Sequence, residues 1–386
     1  MRTARRAAEI TPFEVMDVLA RAHELERAGR RVLHMEIGEP DFTAPAPVVE
    51  AGVRALREGR TAYTPTLGLR ELREAIAGHY AARFATNVDP ARVVVTSGAS
   101  GGLLTVAALY VDAGDEVLVP DPGYPGYRHF VRAFEGRAQA LAVSAADNFQ
   151  PTAAMVRAAW GERTKALILG SPSNPTGTLI AREELAAIAR FIAERGGVLI
   201  VDEIYQGLTY GAEPWTALGL PGELVVVNSF SKYFCMTGWR LGWVVLPSAA
   251  VRGFEKLAQH LFISAPAAAQ HAACAAFGEE SIRVLEERRR EFARRRDFLV
   301  PALKSAGLAL PAEPHGAFYA YANCARDARE YCLQLLEREA VAATPGVDFG
   351  ANGTSRHVRF AYTRAMADIE EAASRIKRFA TYAPSA

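Results

Sequence analysis

The chain has 386 residues, half of them hydrophobic and 23% charged, with a formal net charge of +1. Near-neutrality removes the electrostatic case for binding nucleic acid or a membrane surface, and no apolar run of about 18 residues is present to cross a bilayer. The length exceeds what one ordinary core serves, so two domains are expected.

The basic start Met1-Arg2-Thr3-Ala4-Arg5-Arg6 leads into no apolar signal core, and a cytoplasmic location is expected. Thr11-Pro12-Phe13-Glu14 predicts a helix start, with Thr11 as N-cap, Pro12 in the first turn and Glu14 closing a capping box. Val15, Val18, Leu19, Ala22 and Leu25 then share a face, and Gly29 ends the run. Val32 to Ile37 alternates like a short strand and enters Gly38-Glu39-Pro40-Asp41-Phe42, where the glycine lets a ligand come close to the backbone. Helices are expected over 47–58 and 69–76, separated by the loop Tyr63-Thr64-Pro65-Thr66-Leu67-Gly68.

A regular alternation follows. Apolar strands at 92–96, 116–119, 165–169, 198–201 and 224–227 each end in polar or small residues, with helical stretches between them. That is the sequence form of an open parallel α/β sheet, in which ligands bind at the carboxyl ends of strands. Ser97, Tyr124, Asn174, Asp202 and Lys232 all stand at such ends. Further on come a strand at 243–246 and a long helix over 281–303 with Leu285, Phe292, Leu299 and Leu303 as its apolar stripe. The charged run 286–291 reads as a solvated helix face, with Glu286–Arg290 and Glu291–Arg295 pairs. Strand-like 316–321, helical 326–339 and strand-like 358–362 close the chain. The expected fold is α/β: a large domain with a mostly parallel sheet between helices (47–284) and a smaller α+β domain built from both chain ends (1–46 and 285–386). Neither the four cysteines, Cys235, Cys274, Cys324 and Cys332, nor the eight histidines show metal-ligand spacing. Free thiols and no metal are expected.

The strand-end residues suit one chemistry. A lysine at the mouth of a buried strand loses hydration, which favours its neutral, nucleophilic amine. Such an amine forms a Schiff base with an aldehyde, of which pyridoxal 5'-phosphate is the common biological example. Lys232 would carry it and shuttle a proton. Asp202, costly after four apolar residues without a cationic partner, would face the pyridinium nitrogen. Tyr205 and Asn174 would bond the ring's phenolic oxygen, and Tyr124 would stack on the ring. Ser97, Gly98, Ala99, Ser231 and Arg240 would hold the phosphate through backbone N–H groups and a guanidinium fork.

Ser171-x-x-Asn174-Pro175-Thr176-Gly177, Asp202-Glu203-x-Tyr205, Ser229-x-Ser231-Lys232 and Gly238-x-Arg240-x-Gly242 together resemble the class I and II aminotransferases of fold-type I. The likeness covers nearly the full length, and Gly38 to Phe42 is similar to the prokaryotic branch that includes many aspartate aminotransferases. It implies a transaminase exchanging an amino group between an L-amino acid and a 2-oxo acid by a ping-pong mechanism. It implies that Lys232 is the Schiff-base lysine and that Ser229 belongs to the cofactor site. It also implies that Arg359, aided by Asn174 and the backbone of Gly38, binds the substrate α-carboxylate; spacing alone does not separate Arg359 from Arg356 and Arg364. A homodimer is implied, with Tyr63 reaching the neighbouring subunit's phosphate. Some aspartate-using members carry a lysine where Ser100 stands here, which leaves neutral amino donors open. The same cofactor residues would serve a carbon–sulfur lyase, and a non-enzymatic pyridoxal-phosphate sensor would need a DNA-binding module that the residues before Thr11 are too few to form.

Overall fold

The computed structural model describes residues 3–382; Met1 and Arg2 of the basic start lie outside the described residues. Seven strands form the main sheet: β2 (Val93–Thr96), β3 (Glu116–Asp121), β4 (Arg137–Ala142), β5 (Thr164–Gly170), β6 (Val198–Asp202), β7 (Val225–Ser229) and β8 (Gly242–Val245). With β1 taken as Leu33–His34, their spatial order is β2-β8-β7-β6-β5-β3-β4. All neighbours are parallel except β8, which runs antiparallel between β2 and β7.

The central strands read as unbroken apolar runs because both faces of the sheet are covered. Successive residues feed two different clusters: Val93 and Val95 one, Val94 the other; Leu199 and Val201 one, Ile200 the other. Leu72, Ile76 and Tyr80 of the helix Arg70–Phe84 pack on the first face. Leu103 and Val106 of the helix Gly98–Tyr110 pack on the second. The strand β4 escapes the sequence reading. It is an edge strand in which only Leu141 is buried, so it carries no core signal.

A second group holds β9 (Tyr319–Asn323), β11 (Thr344–Pro345) and β12 (His357–Ala361) in an antiparallel sheet of order β11-β12-β9. Beside it β1 pairs in parallel with β10 (Val341–Ala342), and the Ala361 amide donates to Met35 O, stitching the two together. The expected strand over Val32–Ile37 is therefore only two residues long, since the chain leaves the ladder after Met35 and Gly38 meets Lys232 beyond the end of β7.

Two local expectations fail for the same reason, a partner distant in sequence. The first long helix starts at Glu14, not after a Thr11 cap: the Asp348 carboxylate accepts the Glu14 and Val15 amides at 2.8 and 3.2 Å and takes over the capping role. On the helix Glu279–Ser305 the apolar stripe is buried as expected. Glu286, however, pairs with Arg83 and Arg289 at 2.8 and 2.7 Å rather than with Arg290. The Glu291–Arg295 pair forms, but Arg295 is buried, forking onto Asp41 at 2.7 and 3.0 Å.

Candidate active site

The carboxyl ends of β6 and β7 open into a cavity of about 250 Å³ against β9 and β12. Asp202 closes β6 and is 3% exposed. Its two oxygens accept the Tyr127 hydroxyl at 2.9 Å and the Ile204 amide at 3.0 Å. Burial pushes its carboxyl up to about 6, against the pull of those bonds and of the Lys232 charge. Lys232 follows β7 by one turn and donates from Nζ to Gly38 O at 2.7 Å. Burial brings its amine down to about 8, with Glu39 opposing and Arg359 and Arg240 assisting. Asp202 and Lys232 thus face one cavity and feel each other's charge.

Gly38 is required by its surroundings. An added Cβ would fall 1.9 Å from the Tyr319 hydroxyl. That hydroxyl shares a 2.7 Å hydrogen bond with Tyr205, so Tyr205 is held by a partner on β9. Asn174 Oδ1 accepts from Arg359 Nη1 at 2.9 Å. The other Arg359 nitrogen, Nη2, donates to Glu36 O at 2.6 Å and to Thr344 Oγ1 at 3.3 Å. The guanidinium lies over the Tyr319 and Phe349 rings at 4.3 and 4.9 Å, and its Nε is buried without a partner. Arg356 and Arg364, equal candidates by spacing, are exposed and do not line the cavity.

At the opposite end lie Ala99, Ser100, Ser231 and Arg240, with Tyr124 on the wall. Arg240 is in the left-handed region (φ 54°), its Nη1 donating to Thr237 O at 2.9 Å. Gly98 has φ +75°, and a Cβ there would sit 2.8 Å from Arg240 Nη2, so the missing side chain leaves the guanidinium its place. Ser97, Gly98 and Ser229 do not themselves line the cavity; Ser229 is buried, its Oγ 2.9 Å from Ser231 Oγ. Tyr63 stands apart, 81% exposed.

Two residues were not found from the sequence. Tyr127 lies in the first turn of the helix Gly126–Ala133, just after the loop that carries Tyr124, and nothing in the local pattern singles it out. Tyr319 had no signal either, because its place depends on the pairing of β9 with β12. A larger hollow of about 700 Å³ near His79, Arg83 and Glu286 gathers none of the strand-end residues. Among the described residues there is no cluster of His, Cys, Asp or Glu suited to a metal ion and no helix long and apolar enough to cross a membrane. The four cysteines are free.

The profile of the family described as aminotransferase class I and II matches residues 30–376, a span that takes in every cavity residue named above. The chain belongs to that family. It is an aminotransferase. The chain is 38% identical over 379 residues to the (5-formylfuran-3-yl)methyl phosphate transaminase of Methanocaldococcus jannaschii, covering 97% of this chain and 99% of the other. It is 38% identical over 389 residues to the valine–pyruvate aminotransferase of Mycobacterium tuberculosis, covering 100% and 99%. The aspartate aminotransferase of Thermus thermophilus with maleate has the same fold, with a TM-score of 0.92 at 34% identity over 98% of this chain and 100% of that one.

Proposed function

We propose that this aminotransferase uses pyridoxal 5'-phosphate held in the cavity between Asp202 and Arg240, with Lys232 as its attachment point. The observation that carries the reading is the pairing in one cavity of a desolvated amine and a buried carboxyl raised toward neutrality. A buried acid of that kind is stabilised by a cationic heterocycle, and Asp202 has no cation of its own among its hydrogen-bond partners. Tyr124 offers a flat face to a ring. Ala99, Ser231 and Arg240 line a small, positively charged recess fitted to a phosphate, and Gly98 behind them leaves room for the guanidinium. Ser229 supports the recess through its hydroxyl bond to Ser231, and we assign Ser97 with Ala99 to the same cradle.

The bound cofactor supplies an electron sink for the substrate's α-carbon. The chain's own residues do the rest. Asp202 keeps the ring nitrogen's proton in place, aided by Tyr127. Tyr205 and Asn174 present polar atoms to the ring's oxygen side. Lys232 accepts and returns a proton from Nζ, the motion that moves an amino group to a 2-oxo acid in two half-reactions. Arg359, its Nη1 beside Asn174 on the cavity wall, takes the substrate α-carboxylate next to Asn174 and Gly38.

Lys232, Arg240 and Arg359 are the cations on this chain's cavity wall, and each is committed to amine chemistry, phosphate or α-carboxylate. Glu39 stands near Lys232. The wall therefore favours amino donors with uncharged side chains. We further propose a homodimer, to which the exposed Tyr63 and the exposed apolar Val49, Val53 and Leu56 contribute.

The test is a donor and acceptor screen on the pure protein. Conversion of the cofactor to its amino form by neutral amino acids, reversed by 2-oxo acids, is expected. Thiol and pyruvate release from cystathionine without amino transfer would overturn it in favour of a lyase. Lys232→Ala is expected to abolish covalent retention of the cofactor, and a borohydride-reducible lysine adduct surviving in that variant would refute the attachment point.

A further inference from the structure

His34 lies outside the cavity, yet both of its ring nitrogens face carboxylates: Nδ1 is 2.7 Å from Glu36 Oε1 and Nε2 is 3.1 Å from Glu26 Oε1. A neutral imidazole carries one N–H and an ionised carboxylate only accepts. The two contacts are both satisfied when the ring is protonated. Glu36 is fully buried, and its second carboxylate oxygen has no partner. Its main-chain carbonyl accepts from Arg359 Nη2 at 2.6 Å and from Thr344 Oγ1 at 2.9 Å. Two residues on, Gly38 O accepts from Lys232.

We infer that His34 is a positioning residue for substrate: as the counter-ion of the buried Glu36 it fixes the main-chain carbonyl on which Arg359 is aimed. This rests on the reading of Arg359 as the carboxylate-binding group. Without the imidazolium the buried Glu36 carboxylate loses its cationic partner, and the segment that holds the guanidinium loses its anchor. The groups facing His34 are Glu36, Glu26, the His23 ring at 6.1 Å, and Arg364, whose Nε donates to His34 O at 3.3 Å. The ring's proton is held above the ordinary histidine range, first by the Glu36 hydrogen bond. Raising the pH therefore removes the counter-ion.

The experiment is the pH dependence of KM and kcat for a neutral amino acid, and of the Kd of a carboxylate inhibitor without an amine, on wild-type holoenzyme, His34→Gln, Glu36→Gln and the double variant. His34 is followed in parallel by its ring NMR signals. His34→Gln is expected to raise KM and inhibitor Kd about fivefold with kcat little changed, the scale of an ordinary coupling between sites. Wild type should approach the variant's values as the ring deprotonates. In the Glu36→Gln background the same substitution should add little. An unchanged KM, an undiminished effect in the double variant, or a ring titration that KM does not follow would overturn the inference. If Arg359→Lys leaves inhibitor binding intact, the reading of Arg359 fails instead, a result separable from the behaviour of His34.

Discussion

The Tyr127 hydroxyl donates to Asp202 Oδ2 at 2.9 Å, joining a helix N-terminal turn to the tip of β6. Both groups are buried, and the bond pulls the Asp202 carboxyl down against the effect of its burial. Tyr127→Phe removes a hydrogen bond to a charged acceptor, worth about 1.5–3 kcal/mol. The expected outcome is a fall in kcat/KM of about tenfold. The acid limb of the pH–rate profile should also move to higher pH, because Asp202 would be harder to ionise. A profile unchanged in position would show that Asp202 does not control that limb.

Arg359 presents two outer nitrogens already fixed by Asn174, Glu36 and Thr344. Lysine keeps the charge but loses the fork. Arg359→Lys is expected to raise KM for amino and 2-oxo acids about 100-fold, the range for breaking a buried charge-assisted pair. Cofactor retention, followed by absorbance during dialysis, should stay as in wild type.

The amine of Lys232 is lowered to about 8 chiefly by burial. Below that pH it is protonated and not nucleophilic; above it, neutral and reactive. Cofactor capture by the cofactor-free protein, measured by stopped-flow absorbance, should accelerate as pH rises through about 8 and then level off. A limb near the ordinary lysine value would mean that the cavity does not desolvate this amine.

Gly98 occupies φ +75°, with Arg240 Nη2 only 2.8 Å from where its Cβ would be. Gly98→Ala combines left-handed backbone strain of about 1–2 kcal/mol with displacement of the guanidinium. Thermal unfolding should show a lower Tm, and titration with the cofactor should show weaker binding. Preserved affinity would place the phosphate elsewhere.

Asp348 holds the amides of Glu14 and Val15. Asp348→Ala is expected to cost about 1–2 kcal/mol, the range for losing an N-cap, as read from the unfolding midpoint. Thr11→Ala, at the cap that local sequence favours, should leave the midpoint in place.

That last contrast marks where sequence legibility ended. Asp202 stood out because an apolar run announces a buried strand and the next polar residue stands at its tip; Lys232 stood out as the first charge after the run 224–227. The aminotransferase motifs, which the family match bears out, then supplied context. Arg359 could not be told from Arg356 and Arg364 along the chain. The ladder of β12 on β9, with Arg359 opposite Tyr321, decides which of them faces inward. The edge strand β4 gave no periodicity because almost none of it is buried. The Asp348 cap and the Glu286–Arg83 pair span 334 and 203 residues of chain, beyond the reach of any local pattern.

Lys232 stands just beyond β7 of the seven-stranded sheet, and Arg359 lies on β12 of the three-stranded one. A small molecule held at both ends is therefore a rivet across the line where the two sheets meet. Occupancy should stiffen their seam, so that protease resistance across it becomes a gauge of substrate binding that needs no chemistry to occur.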